Sequence, residues 1–352
     1  MKKFSLRILI SILLKGLLLI YSCTPHIPRI TNRAFYYWKS VYNLTGFEKN
    51  YLSRLRVNTL YIKMFDVTWN DETKSAIPAA QIQFKDTSYK LFTIIPVIFI
   101  TNETLMNTNV AGVDELAGKI CKLLATIIYQ NNLNKPYEIQ FDCDWTETTK
   151  EKYFHLLKLA RAQLNQFGFS TAKISATIRL YQCKYLFKTG VPPVDKGMLM
   201  CYNMGNLKNP GTKNSILESD ELRKYISSLN TYPLQLDVAF PLFDWKVLFR
   251  NGMYAGLIKE LPDSLLQHSS SVIVNNNRYT FLKDTIIENY SFKNSDVLRE
   301  EQSNYDEIIT VGKLIGSKLQ PQKMNIILYH LDSLTLSKYT ENEMENMFDC
   351  LH

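Results

Sequence analysis

The 352-residue chain is long enough for one large domain or two small ones. Its formal charge of +8 is spread over Lys and Arg residues that never run to more than two in a row. That scatter excludes the concentrated basic patch of a nucleic-acid binder, and six cysteines without short spacings make no disulfide framework, leaving a single disulfide open.

The chain opens with a basic segment, MKKFSLR, followed by the apolar ILISILLKGLLLIY and then Ser22-Cys23. This is the order of an export signal. The stretch resembles a bacterial lipoprotein signal, with Ile20 and Ser22 matching the residues before a lipidated Cys23; Tyr21 and Lys15 depart from the pattern. The alternative is an uncleaved anchor helix. Either places the protein in the bacterial cell envelope, attached to a membrane on its periplasmic or outer-membrane side. Loss of Lys2, Lys3, Arg7 and Lys15 with a signal of residues 1–22 lowers the formal charge from +8 to +4. Residues 23–33, with Pro25 and Pro28, read as a tether, and 34–352 as the folded domain.

From there strand-like and helix-like stretches alternate. Ala34–Tyr42 is the first strand and Gly46–Arg56 the following helix; Thr59–Trp69 and Leu91–Asn102 are the second and third strands. Val113–Tyr129 carries Leu116, Ile120, Leu123, Leu124 and Ile127 at helical spacing. The fourth strand, Tyr137–Glu147, is the most informative. Glu138, Gln140, Asp142 and Asp144 alternate with Ile139, Phe141, Cys143 and Trp145, giving one polar and one apolar face. The helix Glu151–Phe167 ends at Gly168. Ile174–Gln182 is the fifth strand, with Ser175, Thr177, Arg179 and Tyr181 on one face. The polar faces of strands four and five should meet, so Glu138, Asp142 and Arg179 are expected to form a buried charge network.

Gly197–Gly205 is the sixth strand, Glu218–Leu229 a helix, Leu234–Trp245 the seventh strand and Asn325–Leu334 the eighth. Between the last two, an insert at about 251–303 holds strands Arg278–Ile287 and Ser291–Glu301, joined at Asn289 and Tyr290. The helices Tyr305–Leu319 and Glu341–Cys350 complete the chain. Eight strand–helix units predict a (β/α)8 TIM barrel with a β-hairpin insertion between strands 7 and 8. An open doubly wound sheet is the alternative, but no glycine-rich phosphate loop favours it.

In such a barrel the site gathers at the carboxyl ends of the strands. That collects Tyr37, Trp38, Asp66, Trp69, Asp142, Asp144, Glu147, Tyr181, Gln182, Tyr202, Asn203, Asp244, Trp245, His330 and Asp332. Acids interleaved with aromatic rings suit a carbohydrate, because flat rings stack on sugars and carboxyl groups move protons at the glycosidic oxygen. Five histidines without metal-ligand spacing predict no metal site, and nothing predicts a cofactor.

The fourth-strand sequence FDCDWTE and the sixth-strand MLMCYNMG resemble the signature strands of the chitinase-type (family 18) glycoside hydrolases. The resemblance implies that Asp142 and Asp144 belong to an acid series, with Met200, Tyr202 and Asn203 holding the substrate's acyl group. The family's proton-donating glutamate would fall at Thr146; the nearest acid, Glu147, is one residue late. The expected function is a membrane-tethered glycoside hydrolase-like protein acting on an extracytoplasmic glycan. Asp144 or Glu147 would be the general acid, Asp142 would orient or stabilise, and Trp38, Trp69 and Trp245 would form the sugar platform. Asp66, Gln182, Asp244, Tyr202 and Asn203 complete the binding set. The alternative is a glycan-binding or envelope-assembly lipoprotein without catalysis.

Overall fold

The computed structural model describes residues 29–351, apart from 260, 321 and 322. The signal segment and Cys23 lie outside the described residues.

Eight parallel strands close into a barrel: Ile30–Tyr37, Thr59–Asn70, Thr93–Ile100, Glu138–Asp142, Lys173–Arg179, Lys196–Met200, Leu236–Pro241 and Lys323–Tyr329. The first strand closes the ring by pairing with the second at Ala34 and Thr59 and with the eighth at Ile30 and Lys323. That second pairing draws residues 30–33, which the sequence reading gave to the tether, into the barrel wall. Helices cover the outside. Val110–Gln130 turns Val113, Leu116, Ala117, Ile120 and Leu124 inward, and Lys150–Gln166 turns Tyr153, Leu156, Leu157 and Ala160 inward. Both follow the spacing of a helix with one apolar stripe.

The fourth strand keeps its two faces. Ile139 and Phe141 face the helix layer, while Glu138, Gln140 and Asp142 are buried inside the barrel and hydrogen-bonded there. At the amino-terminal end, the floor, Lys196 Nζ pairs with Glu138 at 2.8 Å and with Asp237. Ser175 Oγ donates to Glu138 at 2.7 Å, and the Asn325 backbone N–H donates to Asp237 at 2.8 Å. Burial raises the Glu138 pKa, and the Lys196 charge offsets part of that rise. The partner of Glu138 is therefore Lys196, not Arg179 as expected. Register explains the difference: Glu138 sits opposite Lys173, and Arg179 is six residues further along that strand, about 20 Å away at the usual rise.

The insert is larger than a hairpin. It is a five-stranded antiparallel sheet in the order Met253–Ile258, Asp244–Arg250, Val297–Gln302, Arg278–Phe281, Val272–Asn275. A small hairpin, Thr285–Ile287 with Tyr290–Phe292, is attached to it in sequence. Its own core holds Ile258, Leu261, Leu266, Tyr279, Phe281, Phe292 and Leu298. The seventh barrel strand stops at Pro241, which has no N–H to extend a ladder, so Asp244 and Trp245 open the insert sheet instead of ending the barrel strand. Five cysteines, Cys121, Cys143, Cys183, Cys201 and Cys350, are free and buried.

Candidate functional site

The carboxyl ends of the strands and the edge of the insert enclose a cleft of about 1010 Å³. A second cavity, of about 480 Å³, lies at the barrel floor between Thr93 and Tyr137 and is lined by no carboxylate. Trp38, Phe99, Tyr202, Phe243, Trp245 and Tyr329 supply the aromatic walls. Trp38 meets Tyr329 edge-on at 5.5 Å between centroids, and Tyr202 stacks on Tyr329 at 5.5 Å. Packing of this kind holds the rings in place before a ligand arrives.

Asp142, the last residue of the fourth strand, forms part of the cleft bottom. Thr177 Oγ1 donates to it at 2.6 Å. Burial pushes its pKa up to about 6, helped by the neighbouring Asp144 and opposed by Arg179 and Thr177. Asp144 lies just beyond the strand, with its side chain 53% exposed. Arg179 grips it through Nε at 2.5 Å and Nη2 at 2.9 Å, a two-point clamp that fixes the carboxylate as an ion-pair partner. Arg179 also lies over the Tyr202 ring, 5.9 Å from its centroid.

The remaining rim acids are paired as well. Asp244 binds Lys338, and Asp332 binds Lys39 at 2.7 Å. Burial works against the Asp332 carboxylate, but Lys39 and the backbone N–H groups of Leu334 and Thr335 outweigh it and hold the pKa below the usual range. His330 lines the cleft, and burial lowers its pKa.

Several expected site residues sit elsewhere. Glu147 is exposed at the start of the turn Glu147–Thr149 and does not line the cleft. The strand ends at Asp142, and Thr149 Oγ1 then accepts the Thr146 N–H at 2.9 Å, bending the chain outward before Glu147. Trp69 lies on the outer part of the second strand, paired with the strand Ser75–Ala79, and borders a separate depression. Asp66 pairs with Lys63 at 2.8 Å, behind Trp38 rather than in the cleft. Gln182 follows the fifth strand in the helix Leu180–Lys184. It accepts the Arg179 N–H at 2.7 Å and donates to the Trp145 carbonyl at 3.0 Å, so it holds the site's frame. Tyr37 points its hydroxyl to the Val41 carbonyl at 2.6 Å, away from the mouth. Trp38, Asp142, Asp144, Tyr202, Asn203, Asp244 and Trp245 do come together.

Sequence reasoning missed Phe243, Tyr329, Lys338 and Glu301. Only Tyr329 left a signal, as an aromatic residue at the end of the eighth strand. Glu301 is fully buried in the insert and accepts from the Trp245 indole at 2.7 Å, from Ser215 at 2.5 Å and from Arg299 at 2.7 Å. Arg299 in turn donates to the carbonyls of Asn209 at 2.7 Å and Leu207 at 3.0 Å. The cleft face of Trp245 is thus set from inside the insert. Among the described residues no group of three His, Cys, Asp or Glu could hold a metal ion.

No family model and no curated protein matches the sequence. Solved structures do match the fold. A chitinase from Chromobacterium violaceum superposes with a TM-score of 0.53 at 10% identity, over 90% of this chain and 98% of that one. The spore cortex-lytic enzyme SleL of Bacillus cereus gives 0.51 at 13% identity, over 92% and 75%. SleL of Bacillus megaterium gives 0.52 at 12%, again over 92% and 75%. At such identities the likeness is one of fold: the chain shares the (β/α)8 barrel fold of these enzymes.

Proposed function

We propose that the barrel mouth binds a glycan segment outside the cytoplasm, and that binding rather than cleavage is its main activity. The observation that carries this reading is the composition of the cleft. Six aromatic rings line it, while Asp144, Asp244 and Asp332 are each held in an ion pair. Glycoside hydrolysis needs at least one carboxyl group free to give a proton to the glycosidic oxygen. Glu147 stands outside the cleft, and Asp142 alone among the cleft carboxyls has no ion-pair partner among the described residues. The names of the similar structures, a chitinase and spore cortex-lytic enzymes, support a glycan as the ligand.

The test is calorimetric titration with oligomers of N-acetylglucosamine and of the peptidoglycan disaccharide, alongside product analysis. Saturable binding without products is expected. Trp245→Ala should weaken it by tenfold or more, about 1.4 kcal/mol and up, as truncating a central aromatic anchor does. One observation favours a second reading, hydrolysis with Asp142 as the acid: its pKa of about 6 suits a proton donor near neutral pH. Product formation that falls by about 10²–10⁴-fold in Asp142→Asn would establish that reading over the first.

The Ser22-Cys23 sequence supports attachment to an envelope membrane by a lipid on Cys23. Cys23→Ala should then release the protein from the membrane fraction. Unchanged attachment with an intact amino-terminal segment would favour the anchor helix.

A further inference from the structure

We propose that the barrel floor is a membrane-docking face, resting on anionic lipid headgroups with the mouth turned away from the bilayer. This rests on the reading of Cys23 as the point of attachment. The first barrel strand starts at the floor, and Arg29, directly before it, is held there. Its guanidinium donates to the carbonyl of Leu351, and to those of Gly316 and Leu319 at 2.9 Å each. Arg29 is six residues past Cys23, a span of at most about 20 Å at full extension. A lipid on Cys23 therefore keeps the floor within about two Debye lengths of the headgroups, where their charge is still felt. The eighth strand, Lys323–Tyr329, rises about 20 Å from that floor, so the mouth stands on the far side of the domain.

The free charge of this face has one sign. Arg56, Lys90, Lys135 and Lys318 lie in the segments that enter the second, third, fourth and eighth strands. Lys173 and Lys323 open the fifth and eighth. All six are exposed, and none is in an ion pair among the described residues. In the seven residues before each of strands two to eight the only acids are Asp86 and Asp195. Lys49 holds the first at 2.9 Å, and Arg161 holds the second at 3.0 Å. Asp349, at the end of the last helix, is held by Arg33 at 3.3 Å. Six free cations exceed the net charge of +4 carried by residues 23–352, so the remainder of the chain is net acidic. The sequence scatters these residues because nearly every one belongs to a different turn; the ring brings them together. Around it the strands run eight, one, two, three, four, five, so the cations form an arc with the tether's exit inside it.

Apolar side chains lie between the cations. Leu91 is 75% exposed beside Lys90, Ile30 is 57% exposed beside Arg29, and Tyr137 is 46% exposed two residues past Lys135. Lysine heads flanking leucine and tyrosine suit a headgroup layer, with cations at the phosphates and apolar groups at the acyl boundary. Lys90, Lys135 and Tyr137 also border the floor cavity, together with Asn132 and Asn134, which offers a headgroup two cations and two amides. A nucleic-acid backbone would meet the charge but has no use for Leu91 and Ile30.

The experiment is hydrogen exchange, read by mass spectrometry, on the full chain reconstituted in vesicles of phosphatidylcholine or of phosphatidylglycerol. Peptides covering 86–92, 131–137 and 166–173 should exchange roughly tenfold more slowly on phosphatidylglycerol, as a second attachment is added to the tether. Peptides at the mouth should exchange alike on both lipids, and high salt should remove the difference at the floor. Lys90→Glu, Lys135→Glu and Lys173→Glu together should abolish the slowing. Lys122→Glu, Lys158→Glu and Lys283→Glu, the same change of net charge on exposed residues of two outer helices and the insert, should retain it. Circular dichroism checks that both triple variants are folded, and the salt dependence of wild type needs no variant. Attachment to vesicles with equal floor exchange on both lipids overturns the docking face and leaves the tether standing. Equal slowing by double-stranded DNA without vesicles makes the face a general polyanion site and overturns it as well. A chain that sediments with neither vesicle overturns tether and face together.

Discussion

Asp142 is the residue on which pH should act. Its folded pKa of about 6 lies above the ~3.9 of an unfolded aspartate, so the folded chain holds this proton more tightly than the unfolded one. The resulting stability is complete below about pH 4 and is lost as pH rises through 6. At pH 8 the buried charge should cost on the order of 2–3 kcal/mol, at about 1.4 kcal/mol per pKa unit. Asp142→Asn, permanently neutral, should therefore melt higher than wild type at pH 8 and match it at pH 4. A variant that melts lower at both values would show that Asp142 is stabilised as a carboxylate. Glu147 should behave as a surface residue: Glu147→Gln should leave ligand affinity and melting temperature unchanged, because the turn carries it away from the cleft.

Between elements, the decisive contacts are ion pairs, and burial ranks them. Lys196 joins the fourth, sixth and seventh strands through Glu138 and Asp237, whose side chains are 0% and 2% exposed. Lys196→Met would strand two buried carboxylates and should destabilise the fold by roughly 3–5 kcal/mol. Arg179→Met removes an ion pair whose acid is half in solvent, so its effect on stability should stay near 1 kcal/mol. The loss should appear in ligand affinity instead. Equal shifts in denaturant midpoint for the two variants would refute this ranking. In the insert, Glu301→Ala leaves Arg299 buried without its acid and the Trp245 indole without its acceptor. It should cost about 3–5 kcal/mol and weaken ligand binding, while Glu301→Gln should retain the Trp245 contact and recover part of the affinity. The indole N–H resonance of Trp245 reports this directly, with or without ligand.

At the scale of the whole molecule, the barrel was legible because its strands and helices repeat two periods that sequence displays directly. The alternation from Glu138 to Asp142 even showed which face is inside. What could not be read was where strands stop. The pattern of Leu234–Trp245 runs on through Pro241, and only the pairing of Asp244–Arg250 with Val297–Gln302 shows that a second sheet has begun. The charge partners failed for a similar reason: adjacency of strands was clear, but register, which puts Arg179 beside Asp144 and Lys196 beside Glu138, was not. The site was therefore half legible, in the residues that end strands and not in those that brace them. The buried thiols have a practical consequence. No described cysteine is cross-linked, so reductant should leave the melting temperature of the barrel unchanged. Burial also raises the thiol pKa, to about 12 for Cys121 and Cys350, which silences their reactivity in the closed fold. Labelling by a thiol reagent can then proceed only when the chain opens. Its rate makes these five side chains a built-in clock for opening, with Cys201 on the barrel and Cys350 just past the last helix timing different layers.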